Sequence, residues 1–185
     1  MKKYIYIVLL VFFGLLVFST CNLETEKGFH FDEKKFNSEW NKWTEKNIQD
    51  YSFTLNGKLP YWNFSRAIPM LEYEVNIIVK NGEMESFEYI GEIPHDENDE
   101  NSVFEPEFTS ISDLYQKISD RSREEKEWWN NYSGNGHILS TEYVIKYNSE
   151  LNYVTFFEPV SNWKSNVEVD TTAHAISISK FVVLE

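Results

Sequence analysis

The chain has 185 residues, a formal net charge of −13 and a single cysteine. An internal disulfide is therefore excluded, and so acidic a chain is a poor partner for nucleic acid or anionic lipid headgroups. Aromatic residues make up 17% of the chain; this supplies stacking platforms or, more simply, follows the same compositional bias that enriches Asn, Lys, Ile and Glu.

The N-terminus carries the strongest signal. Lys2 and Lys3 precede an apolar run from Tyr4 to Phe18, and Ser19-Thr20-Cys21 follow. A basic start, a short apolar core and small residues at the end make an export signal. Cys21 stands where a lipoprotein signal peptidase would leave it as a new N-terminus, ready for lipidation. Phe18 and Thr20 replace the Leu and the Gly, Ala or Ser usual at those places. An uncleaved anchor is the competing reading, because Tyr4 to Thr20 would form about 25 Å of helix, slightly less than the roughly 30 Å hydrocarbon core. A freely secreted chain would keep a lone thiol in an oxidising compartment, a liability that acylation removes. The expected organisation is a signal over 1–20, a polar tether over 21–31 and one globular domain over 32–185. Loss of Lys2 and Lys3 with the signal takes the charge to −15.

Asp32 is placed to cap a helix reaching about Asn47, with Phe36, Trp40 and Trp43 on one face as core anchors. Alternation at Tyr51, Phe53 and Leu55 then predicts a strand that turns or bulges at Asn56-Gly57. Residues 60–70 hold two prolines and predict a loop, with Tyr61, Trp62 and Phe64 on the core or lining a cleft. Leu71 to Lys80 and Glu83 to Gly91 predict a hairpin, with Tyr73, Val75, Ile77 and Val79 on one face and Asn81-Gly82 as the turn.

Residues 92–108 form an acidic loop. Ser110-Ile-Ser-Asp113 resembles a capping box and starts a second helix with the stripe Ile111, Leu114, Tyr115 and Ile118. Its charged continuation, Arg121 to Glu127, projects into solvent. Tyr143–Tyr147 pairs with Tyr153–Phe157 through a turn at Asn148–Asn152; residues 158–173 connect onward and carry Trp163, and Ala175–Val183 is the last strand. The order α-βββ-α-βββ predicts an α+β fold, two helices on a mainly antiparallel sheet of about six strands.

Trp40, Tyr51-Ser-Phe53, Val79-Lys-Asn-Gly82 and Thr109-Ser-Ile-Ser-Asp-Leu-Tyr115 together resemble a family of small exported bacterial lipoproteins classed as a domain of unknown function. The resemblance spans about Trp40 to Leu184. The chain departs from the family's Tyr-Asp…Gly-Tyr-Pro hairpin, having Tyr147-Asn148 and Asn152-Tyr153-Val154, and lacks a cysteine pair that many members carry on the first strand. The resemblance implies fold and export, and no activity.

Three chemistries compete. Asp96, Asn98, Glu100 and Glu107 have the spacing of a calcium loop with a closing Glu at the twelfth position, although Asn101 replaces the usual Gly at the sixth. A solvated acidic loop is the plainer account. Trp128 and Trp129, with Tyr132, form the best candidate for an exposed binding patch; otherwise one Trp caps the second helix and the other packs on the sheet. His30, His95, His137 and His174 have no helical metal-pair spacing, and no G-x-S-x-G, phosphate-loop, dinucleotide or H-E-x-x-H pattern occurs. The expected function is thus an envelope lipoprotein that binds a protein or glycan partner without catalysis, and no cofactor. Calcium binding is the alternative, and a hydrolase comes third.

Overall fold

Asp32 opens the first helix as expected. Its side chain accepts a hydrogen bond from the Lys35 amide at 2.9 Å, and the helix α1 runs Glu33–Lys46 to a left-handed Asn47. The computed structural model describes residues 28–59, 71–91, 95–96, 99–103, 105–132, 138–164 and 175–184. The signal segment, Cys21, most of the tether, the 60–70 loop, Asn98, His137 and His174 lie outside them.

The strands are β1 (Gly28–His30), β2 (Tyr51–Leu59), β3 (Leu71–Lys80), β4 (Glu83–Tyr89), β5 (His95–Asp96), β6 (Asp99–Val103), β7 (Ile138–Tyr147), β8 (Val154–Trp163) and β9 (Ile176–Val183). Helix α2 spans Ile111–Asn131. Seven strands form one sheet in the order β1-β7-β8-β9-β2-β3-β4, while β5 and β6 pair separately. Only β1 and β7 are parallel; the other pairs are antiparallel. The α+β class holds, but the main sheet has seven strands in place of the about six expected, and the order is β-α-βββ-ββ-α-βββ in place of α-βββ-α-βββ.

Period-two alternation puts Phe53 opposite Ile77 and Leu55 opposite Val75, all on the buried face. The Asn81-Gly82 turn has positive φ at both residues, 53° and 80°, as a right-twisted hairpin requires. Asn56-Gly57 neither turns nor bulges the chain. β2 runs through it, because the Tyr73 ring of β3 covers the glycine; a Cβ at 57 would stand 2.5–2.8 Å from that phenol. The bulge falls instead in β9, where Lys180 has φ 49°. One extra residue there lets Ile178 and Phe181 both face the core despite their odd spacing.

Both helices cover the same face. Phe36 and Trp43 of α1, and Ile111, Leu114, Tyr115 and Ile118 of α2, are buried against it. Tyr115 stacks on Trp40 at 5.7 Å, and its hydroxyl donates to the Asn152 carbonyl in the β7–β8 turn. At the start of α2, Ser110 Oγ accepts from the Asp113 amide at 3.0 Å. The Asp113 carboxylate reaches back to the Thr109 amide at 2.9 Å, one residue before the cap. Buried Tyr51 completes the cap by accepting from the Ile111 amide at 3.0 Å.

Three expectations are corrected. Gly28–His30 belongs to the sheet and not to the tether; three residues carry no period, and only the open edge of β7 recruits them. β7 begins at Ile138 and β8 continues to Trp163, so Trp163 ends a strand opposite Ile138 and is not in a connection. Pro159 lies within β8, opposite Tyr143 of β7, and among the described residues β9 pairs with β8 at Phe156 and Phe157. Lastly, the cap offered for a tryptophan falls later, because α2 continues through Trp128 and Trp129 to Asn131. Among the described residues, no helix is long and apolar enough to cross a membrane.

Candidate functional site: the aromatic end of α2

The last turns of α2 carry Trp128 and Trp129 inside the helix, and Tyr132 is its C-cap. This corrects the alternative in which a tryptophan caps the helix. Adjacent helix positions point about 100° apart, so Trp128 and Trp129 cannot share one direction. Residues four apart can meet, and Trp128 stacks on Tyr132 with ring centroids 4.3 Å apart and planes 24° from parallel. Trp129 meets both rings edge-on, at 5.1 Å from Trp128 and 5.4 Å from Tyr132.

The three rings are therefore one cluster with a dry inner side and a wet outer side. Trp128 is 42% exposed, one of a few large apolar side chains open to solvent among the described residues. Trp129 is half-buried, and its indole N–H is shielded from water without a hydrogen-bond acceptor. A shielded donor of this kind carries a desolvation cost. Glu124, Glu127 and Lys126 on the preceding turn are exposed.

Beside the cluster, α2 faces β1 and the start of α1 across a cleft of about 320 Å³, lined by Phe29, Phe31, Phe36, Ser122, Arg123 and Lys126 among others. Its cations are engaged: Arg123 pairs with Asp120 at 2.7 Å and Lys126 with Glu33 at 3.6 Å. Beneath lies Tyr143, edge-on to Phe29 at 4.8 Å and to Phe157 at 5.2 Å. Its hydroxyl is buried without a partner, and burial, with Glu125 adding, pushes the phenol well up from its ordinary range.

The acidic segment takes a different form from the loop expected of it. Asp96 and Asp99 are paired positions of the β5–β6 hairpin, and 99–103 is extended where the calcium spacing would turn back at Asn101. Glu107 is exposed ahead of α2, and its carbonyl accepts from the Lys117 ammonium. Among the described residues no three His, Cys, Asp or Glu side chains gather as a metal site. His30 stands in β1 and His95 in β5, at separate places in the topology.

Ile111, Leu114, Tyr115 and Ile118 set a stripe that Ser122 continues into the charged segment, whereas the end of α2 at Asn131 lies beyond the last buried position of that stripe. Comparison with protein-family models, with curated proteins and with solved structures finds no match for the chain.

Proposed function

We propose that this chain is an extracytoplasmic lipoprotein, anchored through Cys21, that acts by binding and not by catalysis. The observation that carries the binding half is the aromatic cluster: an exposed Trp128 stacked on Tyr132, beside a Trp129 donor that lacks an acceptor. Contact sites favour such rings because they bury large areas with little loss of side-chain freedom. The anchor half rests on the basic, apolar and small-residue order of 1–21.

Two measurements on native, membrane-extracted protein test the two halves separately. The N-terminal peptide is expected to begin at a diacylglyceryl-modified Cys21; an intact Met1 or an unmodified terminus removes the anchor. A photo-reactive residue in place of Trp128 is expected to form adducts in the cell envelope that the same residue in place of exposed Lys80 does not. Equal labelling at both positions removes the aromatic end as the contact site.

A second reading takes calcium at Asp96, Asn98, Glu100 and Glu107. What supports it is the spacing of these oxygen side chains along the sequence, with Glu107 at the twelfth position from Asp96. Millimolar calcium should then raise the melting temperature. An unchanged melting curve excludes the site.

A further inference from the structure

We infer that the aromatic end of α2 is a second membrane contact: Trp128, Trp129 and Tyr132 seat in the lipid–water boundary of the membrane that holds the N-terminal anchor. The inference rests on the lipoprotein reading for its geometry, and its experiment separates the two.

The topology puts the anchor point and the cluster at one end of the molecule. Tyr115 pins the start of α2 to the Asn148–Asn152 turn, at the far end of β7. From Tyr115 to Asn131 α2 rises about 24 Å at 1.5 Å each. β7 has ten residues and rises roughly 33 Å. The last turn of α2 therefore lies toward the end where β7 begins, at Ile138. Gly28 pairs in parallel with Ser140, so β1 also starts at that end. Half-buried Trp163, opposite Ile138, adds a fourth aromatic there. Cys21 precedes Gly28 by seven residues, which span at most about 25 Å when fully extended. An acylated Cys21 thus holds this end, and not the Asn81-Gly82 end, near the bilayer.

The chemistry suits a lipid interface. Tryptophan and tyrosine concentrate at the headgroup level, where an apolar ring and a polar hydrogen are both accommodated. The exposed face of Trp128 supplies the ring, and Tyr132 stacked on it at 4.3 Å brings a phenol to the same surface. The committed surface is zwitterionic: Glu124, Glu125 and Glu127 beside the cluster, and a net charge of −13, oppose anionic headgroups. Affinity need not be high, because a tethered domain already holds its own end at high effective concentration against the surface.

The test uses the full native chain in phosphatidylcholine vesicles, with and without lipids brominated near the headgroup, and records the mass of its N-terminal peptide. Two of the six tryptophans lie in the cluster, so bromine should quench roughly a third of the emission if both reach the interface. Trp128→Ala should at least halve that quenching and leave the melting temperature unchanged. Equal emission in both vesicle types overturns the inference whether or not Cys21 is acylated. Quenching that the variant reduces upholds it, even if an unmodified Cys21 removes the anchor. Quenching untouched by the variant assigns the contact to another part of the chain and overturns it.

Discussion

Raised above pH 10, the protein is expected to unfold in one cooperative step, with phenol ionisation and loss of secondary structure coinciding. Tyr73, Tyr115 and Tyr143 are 6%, 0% and 7% exposed. Burial pushes each phenol well above its ordinary value, with Glu107 adding at Tyr73, Tyr147 at Tyr115 and Glu125 at Tyr143. In the unfolded chain the same phenols ionise near 10. Below that pH both states hold the protons and the stability is whole. Above it the unfolded chain releases protons that the folded one keeps, so stability falls as pH rises. Three such groups remove about 4 kcal/mol per pH unit, against a total stability of about 5–15 kcal/mol for a domain. The Tyr115 hydroxyl also donates to Asn152, a bond that its phenolate cannot make. Absorbance at 295 nm and far-ultraviolet circular dichroism, followed together, check this. All eleven phenolates forming before the dichroism changes would show that these three hydroxyls reach water.

Trp43→Ala is expected to cost about 3–5 kcal/mol, read as a lower urea midpoint with an unchanged slope. Trp43 is 3% exposed and is where α1, the sheet and α2 meet. Its ring lies edge-on to Tyr51 at 5.6 Å and to Phe181 at 6.0 Å, and its Nε1 donates to Ser112 Oγ at 3.3 Å. Truncation leaves a cavity bounded by rings from three elements, which cannot all move in to fill it. Trp43→Phe keeps most of the packing and should lose far less. Equal losses in the two variants would assign the effect to the Ser112 hydrogen bond instead of to the ring.

The elements that the sequence determined are those whose own residues carry a period or a cap. Asp32 and Ser110 start the helices where expected, since a side chain oxygen meets amides only three residues away. Tyr73 to Val79 share a face, and Asn81-Gly82 turns the hairpin, because alternation and positive φ are local properties. The proposed export signal ending at Cys21 rests on consecutive residues alone, the basic start, apolar run and small residues of 1–21.

Tertiary structure alone decided the rest. Gly28–His30 becomes a strand because β7 offers an edge. Gly57 is held flat by a ring from the next strand, and Lys180 supplies the bulge that restores Phe181 to the core. Trp128, Trp129 and Tyr132 stood out in the sequence as aromatic residues beside a charged segment. That they form one cluster, with an exposed ring and a shielded donor, follows from the length of α2 and from where its last turn falls on the sheet. Adjacency along the chain names the residues of a site, whereas exposure and unsatisfied polarity depend on what the rest of the fold leaves uncovered.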